Sequence, residues 1–291
     1  MAEAGFFELL EQYPAFLYFS VALLGLVVGS FINVVILRLP EMMLRAWRHE
    51  ARDILGHDPT PDADDFNLVT PRSRCPSCGH LIRWYENIPL ISWLVLRGRC
   101  SACGTHISAR YPVIELSAAI LALLVAWQLE YGAWMLAVII ASWVLLALAM
   151  IDFDTTLLPD SITYPFLWVG LLLALADISP VSLQDAVIGA IAGYMALWTI
   201  YWTFKLLTGK EGMGHGDFKL LAGLGAWLGW QLLPTIILLS SLVGAVIGTI
   251  MLVTGAVKRD QGMPFGPYLA GAGWLCLVFG DHIKGLLGAR S

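Results

Sequence analysis

Apolar runs separated by short polar loops fill most of the chain, and the pattern breaks once, for a long polar stretch at residues 40–111. The runs lie at about 16–37, 112–129, 133–151, 162–177, 184–204, 218–232, 235–255 and 265–281. A helix needs ~20 apolar residues to cross the hydrocarbon of a bilayer, so each run reads as one crossing. The sixth is the weakest, because its glycine-rich sequence ends early at Pro234. The pattern predicts an all-α polytopic membrane protein of about eight transmembrane helices with one small polar insertion.

Composition agrees: 58% of the 291 residues are hydrophobic, 13% are charged and the mean hydropathy is +0.73, which excludes a soluble globular class. The net charge of −5 carries little meaning, because the charges are segregated by loop. Glu3, Glu8 and Glu11 precede the first run without any Lys or Arg, the wrong flank for a cleavable signal peptide, so that run is expected to be retained. Ten of the 17 Lys and Arg lie from Arg38 to Arg110, which puts the insertion in the cytoplasm and the N-terminus outside. Alternation then places loops 152–161, 205–217 and 256–264 inside. Lys205, Lys210, Lys258 and Arg259 fit, loops 129–133 and 178–183 hold no basic residue, and Lys284 and Arg290 run slightly against the rule.

Within the insertion, the stretch from Glu50 to Leu68 carries Pro59, Pro61 and the acids Asp58, Asp62, Asp64 and Asp65, and reads as a loop. Cys75-Pro-Ser-Cys78 and Cys100-Ser-Ala-Cys103 follow, 21 residues apart, each with a glycine after it, Gly79 and Gly104. Two such chelating turns are what a four-thiolate zinc site requires. A reducing cytoplasm argues against disulfides, and no βαβ pattern supports a redox pair. Four protein ligands leave no open coordination position, so the zinc would be structural. Cys276, alone in the last run, reads as a small core hydrophobe.

The remaining chemistry lies in acids at the ends of runs. Asp152 closes the apolar run from Trp143, Asp154 sits two residues further out, and Asp160 follows Pro159 as an ordinary first-turn acid of the next helix. Asp152 is favoured, with Asp154 as the alternative. Asp217 follows Gly212, Gly214 and Gly216, whose spacing suggests an extended, unhindered backbone, although an Asp capping a helix is the commonest outcome in such a place. His215 reads as a solvated loop residue or a modulator of a carboxylate, and Lys219 as a residue that snorkels or pairs with an acid. Glu115 and Asn33 read as helix–helix hydrogen bonders. Two carboxylates on one face can share a proton and activate water, the chemistry of an aspartyl protease. A proton-coupled transporter using Asp152 and Asp217 as relays competes with that reading, but it calls for acids in mid-span and access from both sides. A zinc scaffold without catalysis is a third. No GxSxG elbow, HExxH pair or Walker loop supports other chemistries.

Together these motifs are similar to the bacterial type IV prepilin peptidases, leader peptidases and N-methyltransferases of the GxGD aspartyl protease group. The resemblance runs from about residue 20 to 275 and rests on Gly29-Ser-Phe-Ile-Asn33-Val-Val, Arg38-Leu-Pro40, the double CxxC, Glu86-Asn87-Ile88-Pro89 and Arg97-Gly98-Arg99. It continues through Arg110-Tyr-Pro-Val-Ile-Glu115, Asp152 to Pro159, Gly214 to Lys219 and Pro264-Phe-Gly-Pro-Tyr268. The family pattern sets its first catalytic Asp seven residues before the proline of the Leu-Pro pair, which is Asp152 here, and its second at the end of GxGD, which is Asp217. The resemblance implies cleavage of the basic leader of prepilins and pseudopilins after a glycine on the cytoplasmic face of the inner membrane. It implies next N-methylation of the new terminus, usually phenylalanine, with S-adenosylmethionine as donor, serving type IV pili or type II secretion. No common methyltransferase fingerprint is present, so Glu86, Asn87 and Gly98 in the insertion are the candidates for holding that donor. The expected division is a first transmembrane helix over 1–39, a cytoplasmic zinc-binding domain over 40–111 and a membrane-embedded protease core over 112–291. No nucleic-acid partner is implied, and the oligomeric state is left open.

Overall fold

The structure is a computed structural model that describes residues 10, 12–56, 66–210, 212–255 and 263–286. Its long helices are α1 (Pro14–Ile54), α3 (Arg110–Gln128), α4 (Ala133–Thr155), α5 (Asp160–Leu175), α6 (Leu183–Thr208), α7 (His215–Leu228), α8 (Leu233–Val253) and α9 (Gly266–Leu286). A 3-10 turn (Trp84–Asn87) and the short α2 (Ile91–Val95) lie between α1 and α3. Among the described residues there is no strand, only two isolated antiparallel bridges, Arg74 with Leu81 and Arg99 with His106. Each expected crossing holds one helix, and α1, α3, α4, α6 and α8 are long and apolar enough to cross a membrane. At 1.5 Å per residue the 16-residue α5 and the 14-residue α7 are only ~24 and ~21 Å long.

Three expectations about boundaries are corrected. The first helix does not end near residue 39 but runs 41 residues to Ile54 with Pro40 inside it. Past Pro40, Glu41 pairs with Arg45 at 2.8 Å and His49 with Asp53 at 3.1 Å, i,i+4 contacts that carry the helix on after its apolar run ends. Asp152 and Asp217 lie in the last turn of α4 and the first turn of α7, not in loops. Residues Glu3, Glu8, Glu11, Asp58, Pro59, Pro61, Asp62, Asp64, Asp65, Lys258, Arg259 and Arg290, and the side chain of Lys284, lie outside the described residues.

The chain divides into two compact units, Met1–Ala126 and Trp127–Ser291. In the first, α1 and α3 meet through a Gly25-x-x-x-Gly29 stripe: a Cβ added at either glycine would stand 2.6 Å from the Cα of Ala119 or Glu115. Small residues let membrane helices approach backbone to backbone, where there is little hydrophobic gain to drive them together. Asn33 donates to the carbonyls of Gly29 and Tyr111 at 3.2 Å each, the expected role of a polar residue in this helix.

In the second unit α7 is the central element, with α5, α6, α8 and α9 packed on it and nearly every residue from Asp217 to Leu228 buried. Gly189 and Gly193 of α6 face Gly225 and Leu221 of α7, and a Cβ at Gly193 would stand 2.6 Å from the Leu221 carbonyl oxygen. On the opposite side Trp227 stacks on Phe166 of α5 (5.2 Å between rings, 13° between planes) and donates to the Phe166 carbonyl at 2.8 Å. Gly225→Val is expected to force α6 and α7 apart at a cost on the order of 3 kcal/mol. Gly271→Ala, where an added Cβ meets nothing within 4 Å, is expected to be neutral. Thermal unfolding of both variants in detergent checks the pair.

Candidate active site and metal centre

The last turn of α4 and the first turn of α7 bring Asp152 and Asp217 to one cavity of about 70 Å³. Thr156, Leu158, Met213, Pro264 and Phe265 form much of its wall. Both carboxylates are 5% exposed, although a buried ionisable group is costly and is retained mostly for function. Thr156 ends α4 in a left-handed conformation (φ 54°) and donates its N–H to the Asp152 carbonyl at 2.8 Å. On the other side Gly214 caps α7 in extended backbone, which leaves His215, Gly216 and Asp217 as the first turn. The glycine spacing therefore serves a helix start, not an extended strand. At Gly216 a Cβ would stand 2.7 Å from the Cβ of Leu158, so this glycine lets the two loops close over the cavity.

The surrounding side chains hold those two loops in place. Lys219 donates to both carboxylate oxygens of Asp160, at 2.6 and 2.8 Å, and lies over the Tyr164 ring. The bond ties the N-terminal end of α7 to that of α5, the pairing with an acid expected for Lys219, and it accounts for Asp160. Asp154 is exposed and does not line the cavity. His215 packs against Tyr201 and Phe218, at 5.2 and 5.4 Å between ring centres. Gly266, at the start of α9, donates its N–H to Asp152 Oδ2 at 2.9 Å. Sequence reasoning did not single it out as a site residue; its flanking by Pro264 and Pro267 in an otherwise apolar stretch was the available signal.

In the first unit, each CxxC folds as a tight knuckle. The Gly79 and Gly104 N–H groups return to the Cys75 and Cys100 carbonyls at 2.9 Å, and both glycines have positive φ, 72° and 73°. The four sulfurs of Cys75, Cys78, Cys100 and Cys103 lie within 4.8 Å of one another and could hold a metal ion. Cys75 and Cys103 are 3.8 Å apart and Cys78 and Cys100 4.0 Å, close to the ~3.8 Å edge of a tetrahedron with 2.3 Å metal–sulfur bonds.

Beside the knuckles opens a cavity of about 550 Å³, walled by His80, Arg83, Tyr85, Glu86, Ser92 and Ser101 among others. Hydrogen bonds from the Ser101 hydroxyl and the Arg83 N–H, with help from His80, bring the Glu86 carboxyl down to about 2. Asn87 is exposed and completes the turn that presents Glu86, while Gly98 is buried in a left-handed turn (φ 65°) under the Trp93 ring. Of the three residues expected to hold a methyl donor, Glu86 lines the cavity, and Asn87 and Gly98 do not.

Glu115 of α3 is 7% exposed and accepts from the Leu90 N–H at 2.8 Å. Leu90 has φ 57°, a conformation that a branched residue adopts only under constraint. The carboxylate therefore anchors the Cys-rich module on a membrane helix, and its hydrogen bond with Ser30 of α1 is the helix–helix contact expected.

Apolar helices that bring two buried carboxylates to one cavity define a helical membrane protein with paired acids at its helix ends. The bacterial peptidase A24 N-terminal domain matches residues 23–129, and the type IV leader peptidase family matches residues 138–249. The chain is 54% identical over 276 residues to a prepilin leader peptidase/N-methyltransferase of Stutzerimonas stutzeri, covering 95% of each chain. It is 56% identical over 279 residues to the protein of that name from Aeromonas salmonicida, again 95% of each. For the Pseudomonas aeruginosa protein the figure is 52% over 276 residues and 95% of each. The chain belongs to the type IV leader peptidase family and is an enzyme of that class. No solved structure matches it.

Glu115→Leu removes the acceptor of a constrained N–H, a loss of about 1–3 kcal/mol, and is expected to speed proteolysis between residues 66 and 109. Glu115→Gln keeps an acceptor and is expected to resist as the parent does. Limited proteolysis in detergent compares them.

Proposed function

We propose that the chain removes the leader of prepilins and pseudopilins by hydrolysis at the cavity of Asp152 and Asp217, then N-methylates the exposed amino terminus. The single observation carrying the first step is that two buried carboxylates line one small cavity in a leader peptidase family chain. Two carboxyl groups so placed do not ionise together easily, so the pair holds one proton. The ionised member takes a proton from water as its oxygen bonds the scissile carbonyl carbon, and the other gives its proton to the carbonyl oxygen. As the C–N bond breaks, the first proton passes to the leaving amine and a hydroxyl proton of the adduct returns to the dyad. The distribution of Lys and Arg supports an inner-membrane location with this cavity on the cytoplasmic side and the N-terminus outside. The proposed division takes residues 1–39 as the first membrane crossing, with the helix itself running on to Ile54, the zinc-binding domain within 40–111 and the protease core within 112–291.

Each of Asp152→Asn and Asp217→Asn is expected to lower cleavage of a purified prepilin by at least about 100-fold, while Asp154→Asn and Asp160→Asn stay within a few-fold. An inactive Asp154→Asn beside an active Asp152→Asn reassigns the dyad. Activity in all four removes the aspartyl mechanism.

The metal we assign to the four cysteines is zinc, because all-thiolate tetrahedral sets at this spacing suit it and leave no position for substrate. It holds the two knuckles together and takes no part in the chemistry. The purified chain is expected to carry one zinc per molecule. Cobalt substitution should give thiolate-to-cobalt absorption, which Cys100→Ala abolishes.

For methylation we assign the cavity beside the knuckles, which has room for a nucleoside-sized ligand. S-adenosylmethionine when bound supplies the methyl group on a sulfonium. Arg83 offers a charged donor for its carboxylate, and Glu86 an acceptor for hydroxyl or amino groups. Arg83→Ala is expected to weaken binding of S-adenosylmethionine roughly tenfold, about 1.4 kcal/mol, with prepilin cleavage unchanged. Calorimetry and a cleavage gel on the same preparation read the two effects.

A further inference from the structure

We propose that Gly266 is a positioning residue for the hydrolysis, its backbone N–H setting the carboxylate of Asp152 for the reaction; this rests on the assignment of Asp152 to the dyad. The bond from Gly266 N to Asp152 Oδ2 is 2.9 Å long and buried. Gly266 is the first residue of α9, where N–H groups have no partner inside the helix and are free to bind a carboxylate. An N–H can only donate, so Oδ2 accepts, and this favours a proton held by the pair on one of the other oxygens. Asp217 takes its own backbone hydrogen bond, from Gly214 at the start of α7, but its Oδ1 is buried without a hydrogen-bond partner, the one such side-chain atom among the described residues. Both carboxylates are thus held by backbone N–H groups, Asp152 from α9 and Asp217 from its own loop, and Asp217 keeps one oxygen for substrate or water.

Two further observations support a built arrangement. A Cβ on residue 266 would stand 2.7 Å from Oδ2, 3.0 Å from Cγ and 3.2 Å from Cβ of Asp152, so any side chain there displaces the carboxyl group from the cavity. Further along the same helix, Trp274 donates to Ser142 of α4 at 2.8 Å, and Ser142 is completely buried. That bond locks α9 to the helix that carries Asp152. Pro264 and Pro267 on either side fix the backbone of the turn, and Pro264 lines the cavity itself.

The test is steady-state cleavage of a purified prepilin by two full-length variants in detergent. One is Gly266→Ala. The other replaces the residue 266 amide with an ester, introducing glycolic acid by nonsense suppression, which removes the N–H but adds no side chain. Displacement of a reacting group by about 1 Å costs on the order of 100-fold. We expect a kcat loss of that order in Gly266→Ala and at least about tenfold in the ester, with KM and the thermal midpoint held near those of the parent. Retention of kcat within twofold in the ester overturns the hydrogen-bond role, and retention in Gly266→Ala overturns the positioning role altogether. A fall in kcat that tracks a fall in thermal midpoint also overturns it, since the effect is then one of folding. Asp152→Asn is run alongside: if it cleaves normally, the dyad assignment has failed, whatever Gly266 does.

Discussion

The close approach of α6 and α7 is the constraint on which the cavity depends. Glycines at 189, 193 and 225 remove the side chains that would hold those helices apart, so the backbone of one lies against the backbone of the other. In lipid, where apolar contact between helices brings little gain, such packing supplies much of the association energy. It also explains how α7 can be buried on nearly all sides. A helix enclosed in this way has little freedom to rotate or slide, and Asp217 in its first turn inherits that rigidity. The Phe166–Trp227 stack and the Lys219–Asp160 bond act at two heights along α5 and α7, fixing tilt as well as distance.

The order of helices was legible because the apolar runs are long and the breaks between them polar. Boundaries were less so. Pro40 and the charges that follow it suggested an end to α1, yet i,i+4 side-chain pairs extend the helix beyond its apolar run, a local effect that hydropathy does not register. Helix ends misled in the same way at Asp152 and Asp217: both loops are shorter than expected, because the last polar residues of α4 and the first of α7 still satisfy helical hydrogen bonds. The Cys75–Cys78 and Cys100–Cys103 pairs were legible in full, since two chelating turns need only local sequence to form. The partnership of Asp152 with Gly266 was not. It joins residues 114 apart through a backbone donor, and a backbone donor leaves no mark on residue type beyond the absence of a side chain.

Within Met1–Ala126 the same economy of small contacts recurs with different chemistry. The knuckles are near copies of each other, each closed by a glycine and each followed by a bridge back to the strand-like segment before it. Glu115 carries the connection to the membrane helix by accepting from the constrained Leu90. Buried carboxylates thus have two uses among the described residues: as an acceptor that holds the Cys-rich module on α3, and as the cavity pair.

The shortness of α5 has a consequence for the lipid around it. Trp168, Val169, Leu172 and Leu175 are exposed on its outer face and belong against acyl chains. Yet the helix is 16 residues long and spans ~24 Å, against ~30 Å of hydrocarbon in an average bilayer. Hydrophobic mismatch of this size is relieved by thinning of the adjacent leaflets. The Asp160 end of α5, tied through Lys219 to the N-terminal end of α7, would then stand in a dimple of the membrane surface, where water and headgroups reach deeper than elsewhere. The thickness of the host bilayer thereby becomes a variable of the enzyme, alongside pH and substrate.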